Sequence, residues 1–580
     1  MKVLFFSPIA FFSVHSVPEA LVADALTKAG HEVVFVRCDG LFKRCCLAMS
    51  DVPFEDEETK SRRCDECRAS RDSIAAEFKL PSLAIEEFLL PEEASRAAQA
   101  TRELTPNDYL EFKIDGIPLG KFALYEFWLN HKLSSANIPP ALWPEYLARL
   151  HNVLLAFYAM RRVLAYHRPD RVVTYNSLYS LNRTVCSLAD TSNIPHFMLH
   201  AGRHHKFRLQ QMTVFKGIAN YSLINRLPTA EKYRAIPCTT KQVDIINEHV
   251  RELLNATSLW VYSIKSDKSH SQRLLDHFGI RAGQKVLLAI MRSGDERLAA
   301  GYAGVEHFEA QPIFSDQYEW LTWLIEYARA NSEYSIIFRV HPREFPNKRE
   351  QVTSQNAVRF SALLKDIDLP ENFHVNLPED QLSLHDLFKI TDVVLNNTST
   401  AALEASLFGI PVVGIGDEVF GFDLSLQEEP ASIPEYIEKI RVAASQGWSF
   451  ARVIAAYRWL NYVNSEVSID ISDGYRPSDL SARPWVRFAG KLERVAKRKL
   501  GLKPGLPEVR GRPAVLKNAA QLTYAIINDD VSHIGIYPVA ECADERLEAR
   551  KIAEAYQSLM NSIRNSDDAL FLSKYSRLVS

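Results

Sequence analysis

Short apolar runs, each ending in a polar loop and leading into a helical stretch, recur along most of this 580-residue chain. A strand that is apolar along its whole length must be covered on both faces, and strand–helix alternation covers it by building a parallel, doubly wound sheet. Residues 2–7 (KVLFFS) run into a Ser-Pro loop, an amphipathic stretch reaches Gly30, and HEVVFVRC follows. Ser16, Pro18 and Glu19 have the spacing of a capping box with proline in the first turn, and Gly30 stands where a C-terminal cap belongs. A further unit reads DRVVTYNS, a polar helix with Asn182, Arg183 and Cys186, then IPHFMLHAG. Near Gln284 a second series begins: KVLLAIMRSGDE, EYSIIFRVHPRE, FHVNLPED, DVVLNNTST and PVVGIG, with helical segments such as WLTWLIEYARA between. The expected fold class is α/β, with two Rossmann-like doubly wound domains facing a cleft and a helical C-terminal extension.

Composition narrows the function classes. Hydrophobic residues are 47% and charged residues 24%, ordinary for a chain with large cores, and a net charge of -3 gives no reason to expect nucleic acid as a partner. Pro8, His15, Pro18 and Glu19 interrupt the N-terminal apolar run, which therefore reads as strand, loop and helix rather than as a leader. No stretch reaches the ~20 apolar residues of a membrane span. The expected setting is cytoplasmic. Residues 483–512, rich in Arg and Lys with an amphipathic middle, form either a peripheral contact with an anionic inner leaflet or a solvated helix face.

The chemistry concentrates in two loops of the second series. His341-Pro342-Arg343-Glu344 follows IIFRV, and Asn396 to Thr400 follows DVVL and enters a helix holding Glu404. A helix start has free backbone N–H groups, the hydroxyls of Thr398, Ser399 and Thr400 add donors, and His341 can hydrogen-bond or protonate a phosphate that is becoming a leaving group. Arg339 and Arg343 flank the histidine. Either motif alone reads as a helix cap or a buried histidine; in this order on one doubly wound sheet they read as a phosphate site.

The runs RVHPREFPNKRE and SLHDLFKITDVVLNNTSTAALEASLFGIPVV resemble the donor-domain signature of bacterial capsule and lipopolysaccharide glycosyltransferases of GT-B fold. The His-Pro and Ser/Thr motifs are similar to those of transferases using CMP-activated acidic sugars such as sialic acid or Kdo. The resemblance spans about residues 284–420 and reaches the N-terminal half in its rhythm. It implies an N-terminal acceptor domain at 1–255 with a Cys-containing insertion at about 39–105, a donor domain at 256–425, a helical crossover at 426–480, and a basic segment with a C-terminal extension at 481–580. It also implies that His341 contacts the donor phosphate, that Ser399 with Thr398 or Thr400 holds it, and that Glu379 or Asp380 binds the ribose. Ser293, Arg339, Arg343 and Glu404 complete the donor set. Asp295 and Glu296 are the nearest counterpart of the family's acidic catalytic motif, although they stand at the start of the donor domain.

The implied reaction transfers an acidic sugar from a CMP-activated donor to a surface-glycan or lipid-linked glycan acceptor, without a metal. One phosphate is served by one imidazole and one hydroxyl-rich helix start, although Arg292 can serve a second. Two alternatives share the fold: a nucleotide-sugar epimerase of the UDP-GlcNAc 2-epimerase type, and a non-catalytic sugar-nucleotide or glycan binding protein.

Three further features stand outside these loops. His15 is either a catalytic group at the acceptor side of the cleft or an ordinary loop histidine. His200, Arg203, His204 and His205 form either an anion-binding loop or an exposed charged one. Five of the eight cysteines, Cys38, Cys45, Cys46, Cys64 and Cys67, cluster in the insertion. Their pattern admits a structural zinc, with an iron–sulfur cluster as second choice, or reduced, unligated thiols.

Overall fold

A computed structural model describes residues 1–217, 236–258, 260–304, 313–347, 350–415, 426–475, 516–532 and 544–579. Strands β1 (Lys2–Phe6), β2 (Glu32–Arg37), β3 (Ser82–Ala84), β4 (Arg171–Tyr175) and β5 (His196–Ala201) form a parallel block in the order β3-β2-β1-β4-β5. Strand β6 (Gln211–Lys216) is antiparallel to β5. Strands β7 (Lys285–Ile290), β8 (Tyr334–Arg339), β9 (Phe373–Asn376), β10 (Val393–Asn396) and β11 (Val412–Gly414) form a second parallel sheet, ordered β9-β8-β7-β10-β11. Strand β12 (Ile469–Asp470) returns to the first sheet, antiparallel to β6.

Both parallel blocks have the same doubly wound order, reversing between β1 and β4 and between β7 and β10. Ligands of open α/β sheets bind at such reversals, outside the carboxyl ends of the strands. The architecture is two Rossmann-like units with a helical C-terminal extension, as expected from the strand rhythm and as the resemblance to GT-B enzymes implies.

The strands are apolar throughout because each sheet is buried on both faces. Along β1, Val3 and Phe5 enter one core while Leu4 and Phe6 enter the opposite one. Along β7, Leu287 and Ala289 alternate in the same way with Val286 and Leu288. The units are joined by more than the chain. After β7, the helix Gly294–Tyr302 leans on the helix Tyr125–His131, so that Ala299 and Ala303 belong to the first unit's core. Trp128 stacks on Tyr302 with ring centroids 4.6 Å apart.

Several local expectations change. The first helix spans Ser13–Lys28 and so starts ahead of Ser16. The Ser16 hydroxyl donates to the Phe12 carbonyl at 3.2 Å, and Glu19 bonds Ser7 instead of a helix start. Gly30, at φ +86°, does follow the helix end, and the His31 N–H donates to the Leu26 carbonyl at 3.1 Å while the Gly30 N–H donates to that of Thr27 at 3.0 Å, the pair of bonds of a Schellman cap. The stretch 39–105 holds the helix Glu57–Phe78 and edge strand β3. The helix Thr240–Leu254, assigned to the first domain by the boundary at 255, packs into the second unit's core. Beyond 480, the helix Ala519–Ile527 lies on the first unit and the helix Glu545–Ile563 on the second. The basic segment 483–512 lies outside the described residues. Among the described residues no helix is long and apolar enough to cross a membrane.

Candidate functional site

The loops after β8 and β10 meet beside the reversal of the second sheet. His341 caps the short turn Pro342–Glu344, and its Nδ1 accepts the Arg343 backbone N–H at 3.1 Å. The ring proton therefore sits on Nε2. Burial, reinforced by Arg343, Arg339 and Lys132, lowers the His341 pKa to about 3. The imidazole is neutral at ordinary pH and acts as a hydrogen-bond donor rather than as a resident acid. Its ring meets Tyr262 edge-on, 5.6 Å between centroids.

In the loop after β10, Thr398 adopts φ +52°, and the Ser399 N–H donates to Asn396 Oδ1 at 3.1 Å. The helix that follows, Ala401–Leu407, has 7 residues. Its contribution to an anion is local, through nearby amides and hydroxyls, and not the field of a long helix.

An open cleft of ≈ 600 Å³ is lined by Arg339, His341, Ser399, Thr400 and Glu404 of the second unit and by His205 of the first. Trp260 and Tyr262, from the segment ahead of β7, complete its wall. Arg339 donates to the Leu382 carbonyl at 3.1 Å and to Asn376 Oδ1. Burial lowers its pKa to about 10, so it remains a cation. Glu404 pairs with His385 Nε2 at 3.0 Å.

Other expected site residues stand elsewhere. Arg343 turns away from the cleft, donating to Ser293 Oγ at 3.0 Å and to Asp295, with Glu350 at 3.3 Å and Glu296 at 3.5 Å. Burial opposes its charge, but the carboxylates outweigh burial and raise its pKa. Ser293, Asp295, Glu296 and Arg343 thus gather around one another, and none of them lines the cleft. Thr398 does not line it either; its hydroxyl accepts from Arg292 Nη1 at 3.2 Å. Glu379 and Asp380 follow β9, the edge strand remote from the reversal, and are exposed. The Asp380 carboxylate is taken by Leu377 N–H and Asn376 Nδ2, both at 2.8 Å.

At the reversal of the first sheet, His15 lies inside the first turn of its helix and stacks on Tyr175 at 4.3 Å, its pKa lowered by burial to about 4. His200 stacks on Tyr175 from 6.0 Å. Glu19 is buried beneath them, accepting from the Ser7 hydroxyl at 2.5 Å, and burial raises its pKa to about 8. His15 does not line the cleft that holds His341. Of the histidine loop, His205 reaches that cleft, whereas His204 is buried: its Nε2 pairs with the Ile245 carbonyl at 2.9 Å and its Nδ1 accepts from the Lys206 and Phe207 N–H groups at 3.2 Å. Both ring nitrogens are used, which removes it from anion binding.

Sequence reasoning passed over Glu19, Trp260, Tyr262 and His385. The acid among Val17, Ala20 and Leu21 was a signal of burial but fitted a cap equally well; the aromatic pair two residues apart, in a segment without regular structure, carried no periodic signal. The single-zinc expectation also changes. Among the described residues no three His, Cys, Asp or Glu side chains are spaced to hold one metal ion, and Cys45 does not line the cavity that Cys38, Cys46, Cys64 and Cys67 share.

No protein-family model matches the chain, and no curated protein sequence does. Among solved structures, the UDP-GlcNAc 2-epimerase from Methanocaldococcus jannaschii is 11% identical, with 79% of this chain and 98% of that one covered and a TM-score of 0.22. The S. aureus MnaA–UDP co-structure is 9% identical, with 87% and 99% covered and a TM-score of 0.25. The spinosyn rhamnosyltransferase SpnG complexed with thymidine diphosphate is 13% identical, with 79% and 95% covered and a TM-score of 0.23. Likenesses at these TM-scores carry no argument about this chain, and the two-unit, doubly wound architecture rests on its own strand order.

Proposed function

We propose that this chain is a glycosyltransferase that takes a sugar from a nucleotide-activated donor held on its second unit and passes it to a glycan or lipid-linked glycan acceptor from the first. One observation carries the reading: a cation, a neutral imidazole and two hydroxyls, from Arg339, His341, Ser399 and Thr400, converge in a cleft that His205 of the other unit also lines. That set complements a phosphate leaving group. Arg339 offsets charge, and the Nε2–H of His341 with the hydroxyls donates to the oxygens that gain charge as the glycosidic bond breaks. The favoured donor is a CMP-sugar, because one imidazole and one hydroxyl-rich loop match a single phosphate.

A second reading, nucleotide-sugar epimerisation, draws on Glu404. Its carboxylate lines the same cleft and is paired with His385, an arrangement able to move a proton on a bound sugar. Titration with CMP, UDP, GDP and TDP, followed by melting temperature, tests the donor: a ligand of the folded state raises it. CMP is expected to give the largest rise, and a larger rise with UDP or GDP rejects the CMP assignment. Acceptor-dependent release of free nucleotide supports transfer, whereas isomerised sugar without release supports the epimerase. Binding without turnover of either kind rejects both enzyme readings and leaves a sugar-nucleotide binding protein.

A further inference from the structure

Behind the cleft, where the second sheet reverses, a contact between side chains links the loops after β7 and β10. The two strands are parallel neighbours with Asn396 opposite Ile290, and the Asn397 N–H still donates to the Ile290 carbonyl at 3.0 Å. Arg292 and Thr398 each stand two residues beyond those paired ends. There the Arg292 Nη1 donates to the Thr398 hydroxyl at 3.2 Å.

Thr398 lies in the left-handed region, at φ +52°, and among the described residues it is the one β-branched side chain with a positive φ. Glycine and asparagine enter this region readily, whereas a branched Cβ crowds its own backbone there and makes the conformation an outlier. Such a residue persists only where its surroundings hold it. Asn396 and Asn397, just before it, are fully buried. Asn396 Oδ1 accepts the Ser399 N–H at 3.1 Å, and its Nδ2 donates to Gln427 Oε1 at 2.8 Å. The threonine's own side chain is held by the Arg292 guanidinium. Glycine at 398 would make the turn alone; threonine makes it depend on a residue of another strand.

The left-handed turn directs the two residues that follow it. Ser399 and Thr400 line the cleft, although Thr398 and Arg292 do not. The Ser399 oxygen accepts the Ala401 N–H at 3.4 Å, which leaves the hydroxyl proton for an acceptor in the cleft. We infer, on the reading of this cleft as a nucleotide-sugar site, that Arg292 is a positioning residue: it holds Thr398 left-handed, and that conformation presents the hydroxyls of Ser399 and Thr400 to the donor phosphate before any nucleotide arrives. Donors fixed in advance need no reorganisation as the leaving group gains charge. A guanidinium that reached the phosphate itself would instead be a second cation of the site, and the two roles give opposite results in one mutant cycle.

The full-length parent, Arg292→Met, Thr398→Gly and the double variant are titrated calorimetrically with CMP and with UDP, and the nucleotide that the parent binds more tightly is used throughout; circular dichroism and gel filtration confirm that each variant is folded. Arg292→Met should raise the dissociation constant at least about tenfold, the loss of a hydrogen bond from a charged donor. Because glycine enters the left-handed region unaided, the same change made in the Thr398→Gly background should raise it less than about threefold. Hydrogen exchange of the unliganded chain adds a readout that needs no nucleotide: Arg292→Met should speed exchange of the amides from Ser399 to Ala402 while β7 keeps its rate. An equal loss of affinity in both backgrounds would make Arg292 a direct phosphate contact and overturn the assignment, as would an unchanged dissociation constant in Arg292→Met or unchanged exchange in the loop. Binding of neither nucleotide by the parent would overturn the reading of the site and, with it, any role of Arg292 toward a phosphate, whatever the exchange rates show.

Discussion

His341 and Glu19 show how burial sets what a single side chain can do. With its Nδ1 occupied by a backbone N–H and its pKa lowered to about 3, His341 offers one Nε2–H across the neutral range. Replacing it by alanine should reduce turnover by more than roughly tenfold while the melting temperature stays near wild type, and the pH–rate profile of the parent should show no inflection from this ring between about pH 5 and 8. Steady-state kinetics of the two proteins check both statements; an unchanged rate would remove His341 from the site. Glu19 behaves in the opposite sense. Its folded pKa of about 8 exceeds the unfolded value of 4.5, so the native state holds the proton more tightly. The stabilisation this gives is complete below pH 4.5 and is lost as pH rises through 8. Glu19→Gln, which cannot ionise, should therefore flatten the decline of melting temperature between those limits, and the gap between mutant and parent should shift in the mutant's favour from pH 5 to pH 8.

Single side chains also tie one element to another. Lys132 ends the helix Tyr125–His131 in an αL conformation and is buried, its Nζ donating to the carbonyls of Arg343 and Val352, with Glu350 at 3.2 Å. Arg183 Nε donates to the Ala303 carbonyl at 2.6 Å, at the end of the helix Gly294–Tyr302. Through these contacts the first unit fixes the turn that carries His341 and the helix that follows β7. Lys132→Met leaves the Arg343 and Val352 carbonyls without this donor and Glu350 with Arg343 as its remaining cation, a loss of about 1–3 kcal/mol; chemical denaturation should show a lower midpoint with an unchanged slope. Weaker nucleotide binding should accompany it, because Arg343 and His341 share that turn. None of this was readable along the chain: Lys132 and Arg343 are far apart in sequence, and their pairing depends on how the two units dock. The same reason explains why Ser293, Asp295, Glu296 and Arg343 were expected around the ligand and are found around one another.

For the molecule as a whole, ionisation should shape stability through groups that burial keeps neutral. Burial lowers the pKa of His15 to about 4 and those of His200, His205 and His341 to about 3. These rings must take up protons to unfold in acid, so the stability they permit is lost as pH falls below 6.5. Glu19 and Glu344, raised by burial to about 8 and about 7, act in the reverse direction as pH rises. The four histidines outnumber the two glutamates between pH 4.5 and 6.5, where stability should rise with pH; above 6.5 only the glutamates remain and it should fall. Melting temperatures from pH 4.5 to 8.5 at constant ionic strength should peak near neutrality, and a monotonic curve would contradict this balance. By itself, the sequence determined the two sheets and the loops that carry His341 and Ser399, because apolar runs and the polar loops that end them are local patterns of adjacent residues. Only the tertiary structure decided that His205 shares the cleft, that Arg343 leaves it, that β12 returns to the first sheet and that Cys46 rather than Cys45 joins the other cysteines. Those outcomes depend on docking, on burial and on which way a side chain turns when residues distant in sequence pack together, and no local pattern encodes them.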